Sequence, residues 1–462
     1  MHQNDTIIAL ATPSGAGAIA VIRLSGAEAI AMADVFFKSI HEKKLADQKS
    51  HTIYLGHITE AGRVLDEVLV SVFKNPTSYT GENVVEISCH GSSYIQQEII
   101  QLFVRNGARI ANPGEFTLRA FLNAKLDLSQ AEAVADLIAS DNKASHQIAM
   151  QQMRGGFSNE IKVLRDELLN FASLIELELD FSEEDVEFAD RKQFEDLLHR
   201  IIKVLKHLVD SFSTGNVIKS GIPISIVGAP NVGKSTLLNA LLNEDKAIVS
   251  DIAGTTRDAI EDEITIEGIK FRFIDTAGIR TTEDTIESIG IKKTFEKITQ
   301  SQVVLYLLDA SMVTIETIVL FNNDIRKIQE QYPDKQLIVV ANKMDQVDKG
   351  LIETSFVYPH TLYTAAKSGE GITSLKTKLL EFVNTGALRN NDTIITNSRH
   401  YDSLLKALSD VQRVQQGMDA QLSGDLLAID IRQALYHFGE ITGEITSDDL
   451  LGNIFANFCI GK

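Results

Sequence analysis

The residues best suited to chemistry lie in a glycine-rich segment near the middle of the chain. Residues 228–235 read Gly-Ala-Pro-Asn-Val-Gly-Lys-Ser and fit the pattern G-x-x-x-x-G-K-S/T, between a β-type run at 222–227 and a helical run at 236–242. Glycines let backbone N–H groups close around phosphates, the lysine reaches the outer phosphates, and the serine hydroxyl ligates Mg²⁺. The predicted phosphate-binding residues are Asn231, Val232, Gly233, Lys234, Ser235 and Thr236.

Three further motifs follow in the order expected of a guanine nucleotide site. Residues 275–278 (Asp-Thr-Ala-Gly) can hold Mg²⁺ through water and meet the terminal phosphate. In residues 342–345 (Asn-Lys-Met-Asp), the carboxylate of the final Asp can accept two hydrogen bonds from the edge of guanine, which adenine cannot supply. Residues 364–367 (Thr-Ala-Ala-Lys) supply the remaining base contact. The predicted GTP contacts here are Asp275, Thr276, Ala277, Gly278, Asn342, Lys343, Asp345, Thr364, Ala365 and Ala366.

The loop before the Asp-Thr-Ala-Gly motif has the character of a switch. A threonine there can complete the Mg²⁺ shell only when the terminal phosphate is present, so Thr256 is predicted to join Ser235 as a Mg²⁺ ligand. The residue after Gly278 is Ile279, whose aliphatic side chain cannot orient water, and another group must therefore position the nucleophile. The loop residues predicted to contact GTP are Ser250, Asp251, Ile252, Ala253, Gly254, Thr255 and Thr256.

The elements that must position these motifs form a predicted doubly wound α/β domain. Buried-strand runs at 222–227, 271–275, 303–309 and 337–341 alternate with helical lengths, as in a parallel sheet covered by helices. Helical stripes occur on both sides of this domain: Ile161, Leu168 and Ile175 before it, and Ile431 and Phe438 after it. Ser129 and Glu132 have the spacing of a helix capping box. The nucleotide domain is therefore predicted to be an insertion into a helical domain.

Length and composition limit the remaining possibilities. A chain of 462 residues is expected to form about three domains. The predicted limits are 1–118 for a mixed α/β domain, 119–214 and 386–462 for the two parts of the helical domain, and 215–385 for the insertion. A net charge of −19 disfavours nonspecific binding of nucleic acid. Two cysteines are too few for a disulfide framework, and with no long apolar run we expect a cytoplasmic protein without a membrane partner.

Several segments outside the nucleotide motifs resemble the MnmE (TrmE) family of bacterial tRNA-modification GTPases, and the resemblance covers the whole chain. The matching segments are Ala-Thr-Pro-Ser-Gly-Ala-Gly from 11, Ser-Tyr-Thr-Gly-Glu-Asn-Val-Val-Glu from 78, Pro-Gly-Glu-Phe-Thr-Leu-Arg-Ala-Phe-Leu-Asn-Ala-Lys-Leu-Asp from 113, and the terminal Cys-Ile-Gly-Lys. The resemblance implies an N-terminal tetrahydrofolate-binding domain that dimerises, a discontinuous helical domain and an inserted Ras-like G domain with a P-loop.

The resemblance also implies ligands and roles for particular residues. 5-Formyltetrahydrofolate, or a related one-carbon tetrahydrofolate, would bind near Arg23, Glu86, Lys125 and Lys462. Hydrolysis would use K⁺ in place of an arginine finger, with ligands from Asn231, Ser250, Ile252 and Thr255. Glu287 stands where the family places its water-orienting glutamate and is the predicted catalytic residue.

The implied partners are the flavoprotein MnmG (GidA), in a hetero-oligomer, and tRNA. Together the two proteins would attach a carboxymethylaminomethyl-type group to carbon five of the wobble uridine. One alternative is a ribosome-assembly GTPase of the Era or Der type, which should add an RNA-binding module with a Gly-x-x-Gly clamp. Another is a GTP switch that recruits partners without catalysis, which slow turnover unaffected by K⁺ would favour.

Overall fold

The computed structural model describes residues 5–180, 190–243, 262–274, 298–347, 361–381, 393–456 and 458–461. The chain divides into two compact units. The first comprises 1–139, 149–206 and 402–462, and the second comprises 140–148 and 207–401. Helices and strands are numbered below along the described chain.

The N-terminal part of the first unit is built on one sheet. Its strands are β1 (Ile7–Leu10), β2 (Ile19–Ser25), β3 (Phe37–Ser39), β4 (Thr52–Glu60), β5 (Arg63–Phe73), β6 (Val84–His90) and β7 (Arg109–Ile110), in the spatial order β3-β4-β5-β6-β2-β1-β7. Neighbouring strands are antiparallel, except that β1 and β7 are parallel. Helices α1 (Ala29–Phe36) and α2 (Ser93–Arg105) cover one face, where Ala33 and Phe103 join the buried side chains of the strands. The predicted mixed α/β character is therefore confirmed.

The other helices of the first unit come from both sides of the inserted segment. They are α3 (Glu115–Leu122), α4 (Leu128–Ala139), part of α5 (Lys143–Met153), α6 (Gly156–Asp180), part of α7 (Arg191–Ser220), α11 (Ser398–Asp419), α12 (Gly424–Thr442) and α13 (Asp448–Ala456). The heptad-spaced Ile161, Leu168 and Ile175 of α6 are fully buried, and α6 packs against α12. Apolar burial at this spacing holds the two chain segments together. The predicted discontinuous helical arrangement is confirmed.

The cap of α4 differs from the prediction. The Asp127 side chain accepts a hydrogen bond from the Gln130 backbone N–H (2.7 Å), and the Gln130 side chain accepts one from the Asp127 N–H (2.9 Å). This reciprocal pair is the capping box, so the helix begins at Leu128. The assignment to Ser129 and Glu132 was wrong, because Ser129 lies inside the helix and is buried.

The second unit contains the predicted doubly wound sheet. Its strands are β8 (Ile222–Val227), β9 (Asp262–Ile266), β10 (Ile269–Phe273), β11 (Val303–Asp309), β12 (Gln336–Asn342) and β13 (Thr361–Tyr363), in the order β13-β12-β11-β8-β10-β9, with helices α8 (Lys234–Asn243), α9 (Ile315–Gln331) and α10 (Ile372–Glu381). Along β11, Leu305 and Leu307 face the side chains of α8 and α10, whereas Val304 and Leu308 face those of α9. Burial on both faces explains the unbroken apolar run of this strand.

One strand of the second unit departs from the expected parallel pattern. β9 runs antiparallel to β10, and a tight turn at Glu267 and Gly268, both with positive φ (50° and 83°), connects the two. Two consecutive positive φ values match the right-handed twist of a hairpin. The four strands predicted from the sequence are parallel to one another, and β9 is an additional antiparallel strand at this edge that the sequence analysis did not predict.

Candidate nucleotide-binding site

The glycine-rich loop lies between the end of β8 and the start of α8, where its sequence predicts a phosphate cradle. Gly228 has φ of 152°, and a Cβ on it would lie 2.2 Å from the Leu307 carbonyl oxygen. Gly233 has φ of 99°, and a Cβ there would lie 2.4 Å from Asn342 Nδ2. Only glycine fits both positions, because a side chain would collide with neighbouring groups and adopt a disfavoured backbone conformation. The loop therefore wraps closely against β11 and β12.

Lys234 and the first turn of α8 are the groups of this loop suited to an anion. The Lys234 ammonium donates hydrogen bonds to the carbonyl oxygens of Gly228 (2.7 Å) and Ala229 (3.0 Å), so it lies over the loop. Ser235 and Thr236 follow in the helix, whose N-terminal N–H groups favour negative charge. The Ser235 hydroxyl is half-buried in this first turn, in a position suited to ligate a cation.

Asn342, at the end of β12, joins the phosphate loop to both base motifs. It is 2% exposed, and its Nδ2 donates to the Val232 carbonyl oxygen (2.9 Å). Its Oδ1 accepts hydrogen bonds from the Ala366 backbone N–H (3.0 Å) and the Thr364 hydroxyl (3.3 Å). A buried amide that satisfies partners on two other loops fixes their spacing. The structure thus brings three of the predicted motifs into one site.

The turn that carries the predicted base-reading carboxylate follows directly. Met344–Gln346 form a short 3₁₀ turn, and the Met344 N–H donates to the Thr364 carbonyl oxygen (3.1 Å). Asp345 is exposed, as expected of a side chain that contacts a ligand and not the core. Beside it, Ala365 and Ala366 are buried and close the adjoining loop.

A residue that sequence reasoning did not assign to the site lies beneath this turn. Asp309 ends β11 and is 5% exposed, and its carboxylate accepts a hydrogen bond from Lys343 Nζ (2.6 Å). Burial alone would raise the pKa of Asp309, but hydrogen bonds from Lys343 and Ser311 lower it overall. The sequence feature that could have identified Asp309 is an Asp followed by Ala-Ser at the end of a buried strand. This pattern is typical of a turn capped by a side chain.

Many of the predicted site residues lie outside the described part of the chain, and their roles stay predictions. They are Ser250, Asp251, Ile252, Ala253, Gly254, Thr255, Thr256, Asp275, Thr276, Ala277, Gly278, Glu287 and Lys462. Of the proposed K⁺ ligands, Asn231 is described. It is exposed in the phosphate loop with φ of 62°.

A second cluster of predicted residues lies in the first unit. Arg23 on β2 and Glu86 on β6 are cross-strand partners, and their side chains form an ion pair (2.7 Å). The Arg23 guanidinium lies 5.4 Å from the centre of the Tyr79 ring and 5.6 Å from that of Phe116, and it is 3.5 Å from the Gly461 carbonyl oxygen. The structure therefore brings Arg23 and Glu86 together with the C-terminal segment next to Lys462.

Lys125 and the two cysteines also belong to the first unit. Lys125 is exposed beyond α3, and its Cε lies 3.1 Å from the position that a Cβ on Gly81 would occupy. Cys459 is exposed, whereas Cys89 is buried on β6. Burial, with the nearby charge of Asp66, raises the pKa of Cys89 to about 11. Cys89 is therefore an inert core thiol.

Comparisons with known proteins agree along the whole chain. The family model described as MnmE helical domain matches residues 128–459, and the model described as GTP-binding protein TrmE N-terminus matches residues 6–125. A relative from Flavobacterium psychrophilum named tRNA modification GTPase MnmE is 66% identical over 463 residues, covering 100% of both chains. The protein of that name from Cytophaga hutchinsonii is 55% identical and covers 100% of this chain and 98% of its own. The chain belongs to the MnmE family of tRNA modification GTPases.

The N-terminal family model contains Arg23, Glu86 and Lys125, and the helical model extends to Cys459. Among solved structures, the G domain of the FeoB iron transporter from T. maritima is 23% identical, with a TM-score of 0.24, and covers 35% of this chain and 97% of its own. Within the described residues, every helix is too short or too polar to span a membrane.

Proposed function

We propose that this chain binds GTP at the loops joined by Asn342 and hydrolyses it to drive modification of tRNA. The contacts of Asn342 with Val232, Thr364 and Ala366 carry the proposal, because they assemble the phosphate and base motifs into one pocket edge. Asp345 would then read guanine by accepting its two edge donors. The whole-length relatives favour this reaction over ribosome assembly.

Competition binding tests this proposal directly. Wild-type protein should prefer GTP over ATP by about ten-thousandfold, because a site built around hydrogen bonds to one base rejects an analogue that lacks them. Asp345→Asn should shift preference to xanthosine triphosphate, whose edge presents an acceptor in place of the amino donor. Asp324→Asn, at an exposed acidic residue in α9, is the matched control and should keep the GTP preference. Equal affinity of wild type for GTP and ATP would reject the base assignment.

The cations are proposed to sit beside the phosphates. The close-packed loop and the Ser235 hydroxyl fit Mg²⁺ with nucleotide phosphates, and Thr256 would be a second ligand. Asn231, Ser250, Ile252 and Thr255 would hold K⁺, which supplies positive charge that an arginine finger gives other GTPases. Glu287 would orient the attacking water once two G domains meet. Turnover should fall at least about tenfold when Na⁺ replaces K⁺, and equal rates in the two salts would contradict the K⁺ assignment.

The cluster around Arg23 is proposed to bind a one-carbon tetrahydrofolate such as 5-formyltetrahydrofolate. Its support is the arrangement of Arg23 beside two aromatic rings and the Glu86 carboxylate, a set suited to a flat polar ring system that bears carboxylates. Lys125 and Lys462 would add positive charge for the glutamate tail. The folate would supply the one-carbon unit when bound.

The partners are proposed on charge and exposed surface. With a net charge of −19, the chain would need MnmG to hold much of the tRNA, and the pair would act on carbon five of the wobble uridine. Ile53, Leu55 and Leu69 are exposed on neighbouring strands of the N-terminal sheet and would support a homodimer. We further propose the domain limits 1–118, 119–214, 215–385 and 386–462, and a cytoplasmic location.

The tRNA step has its own test. Mass spectrometry of tRNA nucleosides from a strain that lacks this gene should show loss of the modified wobble uridine. Restoration by the wild-type gene, but not by a Lys234→Ala version, would link the modification to nucleotide binding. An unchanged nucleoside profile in the deletion strain would reject the pathway.

A further inference from the structure

The Asp309 carboxylate, at the end of β11, accepts three hydrogen bonds. Its Oδ1 accepts hydrogen bonds from the Ser311 N–H (3.0 Å) and the Ser311 hydroxyl (2.6 Å), and its Oδ2 accepts one from Lys343 Nζ (2.6 Å). The carboxylate side chain is 7% exposed and that of Lys343 is 29% exposed. A charged pair buried to this extent, and hydrogen-bonded on both oxygens, holds its members in one geometry.

Lys343 has a backbone conformation that needs such support. Its φ is 66° and its ψ is 35°, the left-handed region that side chains other than Gly, Asn and Asp rarely adopt. Strained conformations of this kind persist where the surroundings impose them, and they cluster at ligand sites. The Met344 N–H is bonded to the Thr364 carbonyl oxygen on one side, and the buried Asn342 lies on the other. The side chain of Lys343 is held by Asp309.

This conformation decides where the next turn points. Lys343 directly precedes the 3₁₀ turn that carries Asp345, so rotation at Lys343 would swing the Asp345 carboxylate. Asp345 is exposed, so the direction of its side chain depends on the backbone that precedes it. Asp309 itself lies opposite Asn342 in the β11–β12 register. The rigid end of the sheet is thus connected to the turn through one ion pair.

We propose that Asp309 is a positioning residue that preorganises the guanine-reading turn through Lys343. The inference rests on the proposed function, since it assumes that Asp345 reads guanine. Asp309 does not touch the base in this account. Its effect is to hold Lys343 in the left-handed conformation before nucleotide arrives, so that less ordering remains to be done on binding.

Asp309→Asn is the central variant, because it keeps the shape and the Ser311 contacts but removes the charge that holds Lys343. We expect the dissociation rate of fluorescently labelled GDP to rise about tenfold, since loss of a buried charge partner acts mainly on dissociation. GTP should lose more affinity than inosine triphosphate, which lacks the 2-amino donor, so the ratio of the two affinities should fall. A purely structural role would weaken both nucleotides equally.

Two further variants separate the ion pair from the strand-end turn. Ser311→Ala removes the hydroxyl hydrogen bond to the same carboxylate but keeps the backbone N–H bond and leaves Lys343 in place, and it should keep the wild-type affinity ratio. Combining Asp309→Asn with Lys343→Met should give an effect well below the sum of the two single changes, because both remove the same interaction. Melting temperatures identify any variant that has lost its fold.

The outcomes distinguish the inference from the proposed function. If wild type prefers GTP and Asp345→Asn prefers xanthosine triphosphate, the base site stands. An unchanged GDP dissociation rate and affinity ratio in Asp309→Asn would then overturn the positioning role alone, as would additive effects with Lys343→Met. An equal fall of the ratio in Ser311→Ala would also overturn it. A wild type without GTP binding would reject the proposed function itself.

Discussion

The nucleotide site and the Arg23 cluster are built in different ways. The nucleotide site uses backbone groups of short loops that follow β8 and β12, and buried Asn342 links those loops. The Arg23 cluster uses side chains from residues far apart in sequence, with Glu86 on a neighbouring strand and Gly461 at the other end of the chain. The first site therefore depends on the local shape of the backbone. The second depends on tertiary contacts that bring charged side chains together.

This difference determines which substitutions each region tolerates. A backbone cradle fails when an atom is added, because the loop has no room for it. A network of buried charges fails when one partner is removed, because the remaining charges lose their compensation. Arg119 on α3, which is buried beside Asp5, Glu82 and Glu115, is the clearest example of the second kind in the first unit.

The largest effect is expected from Gly228→Ala. The new Cβ would lie 2.2 Å from the Leu307 carbonyl oxygen, so the loop must move away from β11. Displacement of binding groups by about 1 Å costs about a hundredfold, and GTP affinity should fall by at least that factor. Gly369→Ala is the control, because Gly369 also has positive φ (84°) but has no atom within 4 Å of its added Cβ. Similar losses in both variants would show that steric room is not the cause.

Arg119→Met should act on the other region. Loss of its guanidinium leaves Arg109 as the cation that pairs with Asp5 and Glu115 and removes the cation beside Glu82, so it should destabilise the N-terminal sheet by about 3 kcal/mol. Hydrogen exchange of amides in β1 and β2 measures this, and amides in β8 and β11 should keep their protection. The exposed pair of Arg105 and Glu60 (2.9 Å) provides the control, since Arg105→Met should cost at most about 1 kcal/mol. Equal protection in both variants would contradict the network's role.

Acid should weaken the same sheet. Burial would raise the pKa values of Asp5 and Glu115, but hydrogen bonds from Arg109 and Arg119 lower both overall. Lowered folded pKa values stabilise the fold above the unfolded pKa of about 4, and this stability is lost as pH falls through the folded values. Protection of β1 amides should therefore decrease below about pH 4, and less steeply in Arg119→Met. A pH profile that the variant leaves unchanged would remove these carboxylates from the account.

The smallest effect on nucleotide turnover is expected from Cys459→Ser. Cys459 is exposed and belongs to the first compact unit, whereas the nucleotide loops belong to the second. GTP turnover should equal that of wild type within error. Loss of tRNA modification in this variant, with a normal melting temperature, would place the thiol in the chemistry. A reduced GTPase rate would contradict the separation of the two regions.

The phosphate loop and the base motifs could be predicted because each is a contiguous pattern with one physical purpose. Residues 228–235 and 342–345 specify their loops locally, and the structure places both at strand ends as expected. The Arg23 cluster could be predicted only from family resemblance, since no local pattern links Arg23 to Glu86. Asp309 was missed for the same reason, because its partner Lys343 is distant in sequence.

Two hairpins were also missed, and their turns explain why. Ala61 and Gly62 connect β4 to β5, and Glu267 and Gly268 connect β9 to β10, with positive φ at all four residues. The usual sequence signal for such turns is Asn-Gly or Asp-Gly. Ala and Glu rarely adopt positive φ, so the pairing of long neighbouring strands imposes the turn. The conformation of these two turns is therefore determined by tertiary pairing of the strands and not by a local sequence signal.

The role of Asn342 in joining the phosphate and base loops is tested by the GTP dissociation constant of Asn342→Ala. The change removes three buried hydrogen bonds that connect the loops, and at about 1 kcal/mol each it should weaken GTP binding about a hundredfold. Asn323→Ala, at an exposed position in α9, should keep the wild-type constant. A dissociation constant for Asn342→Ala equal to that of wild type would contradict the account, because the phosphate and base loops would then be organised without it.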